Sequence, residues 1–370
     1  MNDLQERFDK ELTHILEQNN LQGQNLSVAV SGGADSLALV FLLKKYAEKF
    51  NVNFSVLTVH HHLRPEADEE TEYVAGLMKK NNIQHQILHW EHEDINTGIE
   101  TKARKARYDL LTEWCKQNDC SILLTAHHLR DQAETFFIRL QRGSGVDGLS
   151  SMARISERNK IKILRPLLNI APQELRDFLI EQNIEWREDV SNDCDDFLRV
   201  RIRKMLPQIE KELGISIQKI GSAVEALSGI KEYFSQVVNR FITAQCKNWY
   251  DEAYSFNLSS FIALHKEIKY RALAKIIIEI GGAEYAPEYD ELQRLQNMLS
   301  ADGFNGCTLG GCEVIKFRNK IWIIKEDKKN KIIQKKQWEE YAQKYLPELK
   351  ADIPYKLKLN LYGKAVEFEK

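Results

Sequence analysis

Short apolar segments alternate with helical patterns through the N-terminal half of the chain, and this alternation constrains the fold more than any other feature. Runs rich in Val, Ile and Leu occupy Leu26–Val30, Phe54–Val59, Gln84–Leu88 and Ile122–Thr125. Stretches with helical spacing separate them, at Leu37–Phe50, Glu66–Asn81 and Glu100–Gln117. Strands that alternate with helices predict βαβ units and a parallel sheet covered on both faces. We therefore predict an α/β fold with a doubly wound, mostly parallel sheet.

The pattern changes after Pro207, where the βαβ rhythm ends. Residues Glu210–Gln245 read as one long helix, and further helices are expected at Leu258–Ile280 and Pro287–Leu299. Two apolar runs joined by a short turn, Cys312–Phe317 and Lys320–Ile324, indicate a β-hairpin. We expect an α/β domain over 1–213, a mainly helical domain with a short β-hairpin over 214–326, and a linker with a reduced tail over 327–370.

Composition excludes several classes of protein. With 43% hydrophobic and 29% charged residues, the 370-residue chain resembles an ordinary globular protein with a sizeable core. It has no apolar run of about 18 residues, so no membrane helix is predicted. The net charge of -2 excludes a uniformly basic surface but not a local basic patch. None of the six cysteines forms a CxxC pair, and without a secretion signal they fit a reducing cytoplasm.

The strongest local signal is Ser31-Gly-Gly-Ala-Asp-Ser, which joins the first apolar strand to a helix. A helix start offers free backbone N–H groups and the positive end of a dipole, and glycine lets the backbone approach an anion closely. Strand, glycine-rich turn and helix together favour a phosphate site over a plain capped turn. The segment lacks the Gly-Lys-Ser/Thr ending of a Walker A loop. Asp35 would repel a phosphate unless it helps to hold Mg²⁺ or fixes the loop.

Charged side chains follow other predicted strands. Asp131 and Glu134 lie three residues apart and would share a helix face, where they could bind a small cationic substrate or serve as capping acids. Nearby His127 could transfer a proton or contact phosphate, or be structural. The consecutive histidines His60–His62 make a poor metal site, because adjacent side chains on a strand point to opposite faces. Arg64, which follows them, is a candidate anion partner.

Two basic clusters complete the candidate residues. Arg104 and Arg107 share a helix face and either grip phosphates or form a solvated stripe. Near the domain junction, Arg199, Arg203 and Lys204 could contact RNA phosphates, which would make binding depend on salt. The alternative for that cluster is pairing with upstream acids, which are Glu185, Glu188 and Asp189.

These strings resemble a known family. The loop resembles the signature of the N-type ATP pyrophosphatases, and the whole series is similar to the tRNA(Ile)-lysidine synthetases. The family order of SGGxDS, HxLR, AxxARY, AHHxxDQxET, RGSGxxGLxxM, SNxD and RxRIR is followed from Ser31 to Arg203, with Ser191-Asn-Asp-Cys-Asp at the place of SNxD. Arg130 and Val200 depart from the usual pattern at positions on which the chemistry does not depend. Many members carry a further C-terminal domain, which the short tail after the hairpin is expected to lack or reduce.

The resemblance implies an ATP-dependent ligase with two steps. The wobble cytidine of a CAU-anticodon tRNA(Ile) is adenylated at its C2 oxygen, and free L-lysine then displaces AMP to form lysidine. ATP would bind the loop residues Ser31, Gly32, Gly33, Ala34, Asp35 and Ser36. Catalytic roles would fall to Asp35, Arg107, His127 and Arg201. Mg²⁺ would bind Asp35, and lysine would bind Asp131 and Glu134.

Two other functions and the partners remain open from the sequence. A tRNA 2-thiocytidine synthetase has the same loop but requires a CxxC pair for sulfur or an iron–sulfur cluster, and this sequence has no such pair. A non-catalytic ATP sensor would need the loop but not the Asp131–Glu134 pair. We expect a cytoplasmic enzyme with no membrane partner, whose oligomeric state is undetermined, with a homodimer among the alternatives.

Overall fold

The computed structural model describes residues 2–62, 66–92, 98–187, 198–283, 285–301 and 303–326, together with Pro354 and Leu357. Arg64, the Ser191-Asn-Asp-Cys-Asp string and almost all of the tail over 327–370 lie outside the described residues. The chain divides into two compact units, Met1–Gly229 and Ile230–Lys370. The division falls after the boundary expected from composition at Leu213. None of the described helices is long and apolar enough to cross a membrane.

The first unit contains the alternating strands and helices. Its strands are β1 (Leu26–Val30), β2 (Phe54–His60), β3 (His85–His89), β4 (Ile122–Leu124), β5 (Ile155–Arg158) and β6 (Ile161–Leu164). Its helices are α1 (Asn2–Gln18), α2 (Ala34–Phe50), α3 (Glu66–Lys80), α4 (Ile99–Gln117), α5 (Leu129–Gln141), α6 (Val146–Leu149), α7 (Pro172–Glu181), α8 (Leu198–Leu213) and the first part of α9 (Ile217–Gln245). The predicted α/β class is confirmed.

The strands form a six-stranded sheet in the order β3-β2-β1-β4-β6-β5. All neighbours are parallel except β5, which runs antiparallel to β6 at one edge. From β1 the chain builds outward through β2 and β3 and then returns to place β4 on the other side of β1. Such a reversal opens a crevice at the carboxyl ends of β1 and β4, where ligands of doubly wound sheets bind.

Helices cover both faces of this sheet. On one face, α1, α2 and α7 bury a core that includes Phe8, Leu39, Leu42 and Leu179. On the other face, Leu111 of α4 packs against strand residues such as Leu57 and Leu123. Burying a side chain of this size contributes about 1.5–3 kcal/mol, so these layers fix the strand ends that carry the polar residues.

A smaller cluster joins α5, α8 and α9. Ala133 of α5 packs with Ile202 and Leu206 of α8 and with Ile220 and Val224 of α9. This contact matters for the site because α5 and α8 carry the charged residues singled out in the sequence.

The second unit holds the rest of α9, α10 (Leu258–Ile262), α11 (Lys266–Gly281) and α12 (Tyr289–Ser300). Its five-stranded antiparallel sheet has the order β7-β8-β11-β10-β9. The strands are β7 (Cys246–Trp249), β8 (Ala253–Asn257), β9 (Cys307–Leu309), β10 (Cys312–Phe317) and β11 (Lys320–Lys325). The predicted hairpin is β10–β11, and the helical character is also confirmed, but the hairpin is the centre of a larger sheet.

Two predicted helices are each divided in the structure. Leu258–Ile280 consists of α10 and α11, with residues 263–265 between them. Glu210–Gln245 is not continuous, because α8 ends at Leu213 and α9 begins at Ile217. Between them Gly214 takes a φ of +64°, a left-handed conformation that ends a helix and that glycine adopts without strain.

Candidate active site

The loop after β1 is built to receive an anion. Gly32 has a φ of +88°, and a Cβ there would lie 3.3 Å from Cγ2 of Val74, so both backbone and space favour glycine. Gly33 is the N-cap of α2 and has no side chain to occupy the first N–H groups of the helix. Ser36 Oγ donates to the Gly33 carbonyl at 2.9 Å and accepts from the Ser31 N–H at 3.3 Å. These bonds hold the turn in a preformed shape.

His128 connects this loop to α5, a contact that the sequence did not suggest. Its Nε2 lies 3.2 Å from Oδ2 of Asp35, and its Nδ1 lies 3.3 Å from Oδ2 of Asp131. The Asp131 carboxylate also accepts from the His128 backbone N–H at 3.0 Å. His128 is the N-cap of α5 with an acid three residues later, so a capping pattern was the only sequence signal for it.

The charges around His128 favour its protonated form. Burial by itself would lower the pKa of His128, but the hydrogen bond to Asp35 and the negative charges of Asp131 and Asp35 outweigh burial and raise the pKa. Burial would likewise raise the pKa of Asp131, yet the charges of His128 and Arg199 lower it. The two groups therefore stabilise each other as an ion pair.

The predicted lysine-binding carboxylates are side by side but already paired with arginines. Arg199 Nε donates to Oε2 of Glu134 at 2.6 Å, and its Nη2 reaches Oδ1 of Asp131. Arg203 Nε donates to Oε1 of Glu134 at 2.7 Å. Helical spacing explains this pairing of acids with arginines. Asp131 and Glu134 share one face of α5, and Arg199 and Arg203 share one face of α8. Glu134 is fully buried.

Two of the three residues predicted to contact RNA, Arg199 and Arg203, are paired with these carboxylates, and their contact with RNA stays a prediction. Arg199 and Arg203 point their guanidinium groups at the two carboxylates and not at Glu185, which was one of the alternative partners. Glu188 and Asp189 are outside the described residues. Arg201 and Lys204 are exposed on α8. Within the described ranges, no hydrogen bond or ion pair joins Arg201 to the loop or to the carboxylates, so its predicted catalytic role gains no contact from the fold.

Positive charge surrounds His127, which follows β4. Thr125 Oγ1 lies 2.9 Å from its Nδ1. Burial is the main cause that lowers the pKa of His127 to about 4; Asp131 opposes it, while Arg165, Arg104 and Arg199 add to it. His127 is therefore neutral at pH 7. Arg165 directly follows β6 and was missed in the sequence, where nothing marked it apart from its place after a strand.

Arg107 lies on the same edge of the sheet as these residues. It is exposed on α4, and its Nε donates to Nε2 of His61 at 3.4 Å. Arg104 lies one turn earlier on α4 and covers the ring of Tyr108. The predicted shared face is thus present, with Arg107 directed to the end of β2.

A magnesium ion would fit at Asp35. Mg²⁺ is usually held by one or two carboxylates together with substrate phosphates. Asp35 lies in the first turn of α2 beside the glycine turn, and its side chain is 39% exposed. His128 contacts only its Oδ2, which leaves Oδ1 for a cation. Its position in the turn also fits the alternative role of fixing the loop.

Known proteins match this chain over most of its length. A family model described as a PP-loop domain matches residues 4–209. A tRNA(Ile)-lysidine synthase from Wolbachia pipientis wMel is 37% identical over 317 residues, which cover 85% of this chain and 73% of the relative. One from Rickettsia akari is 33% identical and covers 87% of this chain and 74% of its own length.

A solved structure supports the fold alone. The U34-tRNA thiolase NcsA from Methanococcus maripaludis aligns with a TM-score of 0.51 at 18% identity, over 60% of this chain and 78% of that chain. The site and the sequence matches point to the same family. The site contributes the glycine turn after β1 and the acid and histidine motifs after β4, and the matches extend over both units. The chain belongs to the tRNA(Ile)-lysidine synthase family, a family of ATP-dependent ligases built on a PP-loop domain.

Proposed function

We propose that this chain joins free lysine to C2 of the wobble cytidine in a CAU-anticodon tRNA(Ile), through an adenylated cytidine. The observation that supports this most is the contact series from Asp35 through His128 to Asp131. It brings the loop suited to a triphosphate next to the carboxylates suited to an amine. A two-step transfer needs both at one place, because the second substrate attacks the group that the first step activates.

In the first step, the loop positions the triphosphate. The N–H groups at the start of α2 and the hydroxyls of Ser31 and Ser36 would hold its oxygens. Mg²⁺ at Asp35 would neutralise charge on the departing pyrophosphate. The cytosine C2 oxygen attacks the α-phosphorus, the bond to pyrophosphate breaks, and AMP remains on that oxygen. Arg107 and the positive surroundings of His127 would stabilise the added negative charge.

In the second step, the neutral ε-amine of lysine attacks C2 and AMP leaves with the oxygen. The attacking nitrogen gives up one of its two protons to solvent as the C2–O bond breaks. Asp131 is 14% exposed and would hold an ammonium group of lysine. Glu134 is fully buried and would act through Arg199 and Arg203, which it orients. A partly exposed guanidinium beside a carboxylate offers complementary charges to both ends of an amino acid.

Contact with RNA would use the exposed side of α8. Arg201 and Lys204 are exposed there, and Lys and Arg bind phosphates without reading sequence. The target base must leave its stack to reach the loop, which suits an anticodon loop better than a duplex.

The direct test is incubation with ATP, Mg²⁺ and labelled lysine. We expect label to enter CAU tRNA(Ile) and not elongator tRNA(Met), and to require ATP. Asp35→Ala should abolish transfer, while Glu113→Gln, which changes an exposed acid on α4, should leave it unchanged. Equal labelling of both tRNAs, or of neither, would contradict the proposed substrate.

A further inference from the structure

Three imidazoles meet where β2 and β3 end, outside the residues used for the proposed reaction. His60 and His89 are directly paired in the register of the two parallel strands. His62 lies two residues beyond His60 and returns to the same side, with a positive φ of 52° that bends the chain back. Adjacent histidines along one strand make a poor metal site, but here the third ring, that of His89, comes from the neighbouring strand.

The ring nitrogens are close enough to share one ion. One nitrogen from each of the three rings lies within 4.8 Å of the others. His62 Nε2 is 2.9 Å from Nδ1 of His89, and the His60 and His62 ring centroids are 4.0 Å apart. In a tetrahedral zinc site with Zn–N distances of about 2.0–2.1 Å, ligand nitrogens lie roughly 3.3 Å apart. To share a metal, the His62 and His89 nitrogens would separate by a few tenths of an ångström, and nitrogens as far apart as 4.8 Å would approach by about 1.5 Å, which side-chain rotation can supply at the two exposed rings.

Surrounding groups supply what a metal site needs beyond its first ligands. The Nε2 of His60 is buried and has no hydrogen bond of good geometry among the described residues, although Oδ1 of Asp68 lies 2.8 Å away. A carboxylate that holds one nitrogen of a ligating histidine orients the ring. Asp68 at Nε2 therefore leaves Nδ1 of His60 for the metal, which would replace the contact of Nδ1 with the His62 backbone N–H at 3.2 Å. His62 and His89 are exposed, so an ion can enter from solvent.

We propose that His60, His62 and His89 bind one Zn²⁺ or a similar divalent transition metal, with Asp68 as the supporting carboxylate. Three histidines are a donor set suited to zinc, and a solvent molecule would complete four-coordination. Binding would fix the segment 60–62, from which His61 contacts Arg107. The site does not depend on the ligase reaction.

The test uses the full chain without an affinity tag, titrated with Zn²⁺ by calorimetry and with Co²⁺ by visible absorption. We expect one Zn²⁺ per chain and the absorption of tetrahedral Co²⁺. His62→Gln and His89→Gln should each weaken binding by more than about 100-fold, and Asp68→Asn by about 10–100-fold. His14→Gln changes an exposed histidine elsewhere, on α1, and should leave binding unchanged.

Circular dichroism of each variant separates lost binding from lost folding, and the exposed position of His62 and His89 favours folded variants. Wild-type binding no tighter than about 1 mM would show that the rings only hydrogen-bond to one another. Binding that is equally tight in the His62→Gln/His89→Gln double variant would place the metal elsewhere. Either result overturns the proposal.

Discussion

At the scale of single residues, His128 holds together two carboxylates that belong to separate motifs. Asp35 comes from the glycine turn, and Asp131 comes from the first turn of α5. The two carboxylates are far apart in the sequence, and nothing in either motif predicts the other. Only the fold places the His128 imidazole between them. The residue that the sequence favoured, His127, is instead neutral and surrounded by arginines.

The raised pKa of His128 makes stability depend on pH. Because its folded pKa lies above the ordinary 6.5, the stabilisation is fully present below 6.5 and is lost as pH rises through the folded value. Urea unfolding of the wild type should therefore show a falling free energy of unfolding on the alkaline side of 6.5. His128→Gln should lack this decline. If the free energy of unfolding fell equally with pH in the wild type and in His128→Gln, the contacts of His128 with Asp35 and Asp131 would contribute nothing to stability.

Removing Glu134 should destabilise the protein through the arginines that it leaves behind. Breaking a buried ion pair costs about 3–5 kcal/mol, and the partial exposure of Arg199 and Arg203 lowers this to about 2–3 kcal/mol for Glu134→Gln. The control Glu113→Gln should change the free energy of unfolding by less than about 0.5 kcal/mol. A loss for Glu134→Gln no larger than that of the control would mean that the network is not coupled to folding.

At the scale of elements, the patterns that span several turns or strands of the parallel sheet were predictable. Helices α3 and α4 and strands β1 to β4 follow directly from apolar spacing, with ends within about two residues. Strands β5 to β9 were not predicted, because each has at most five residues and the preference of so short a segment depends on its neighbours in the sheet. The sequence located the acids of α5 and the arginines of α8 but not their pairing, because the two helices are distant in sequence and meet only in the fold.

Two glycines in α9 offer a matched test of how that helix packs. A Cβ at Gly221 would lie 2.4 Å from Cδ1 of Leu129, whereas one at Gly229 would meet nothing within 4 Å. Gly229→Ala should therefore stabilise the protein by about 0.5–1 kcal/mol, the usual gain in a helix interior. Gly221→Ala should give no gain or a loss. Thermal and urea unfolding measure both, and an equal gain at both positions would refute the close approach of α9 to α5.

At the scale of the whole molecule, a net charge of -2 means that RNA affinity has to come from a local patch. The fold divides the basic run on α8 into inward arginines and the exposed pair Arg201 and Lys204. Composition could not reveal this division, because it depends on which face of α8 packs against α5.

Salt dependence of tRNA binding tests that division. Arg201→Ala and Lys204→Ala should each weaken binding of any tRNA and reduce the slope of log affinity against log salt by about 1. Lys10→Ala, which alters an exposed lysine on α1, should leave the slope unchanged. Filter binding between low and moderate salt gives these slopes, and unchanged slopes for both α8 variants would move the RNA contact elsewhere.

In the proposed reaction the cytidine is activated before lysine attacks, and ATP labelled at its α-phosphate can follow both steps. With tRNA present and lysine omitted, we predict that label accumulates on the CAU tRNA(Ile) and that adding lysine releases it as AMP. Asp35→Ala should prevent the labelling, whereas Asp131→Asn should permit labelling but slow its release by lysine. Label that appears on lysine instead of on tRNA would contradict the account, because the amino acid and not the cytidine would then be the activated partner.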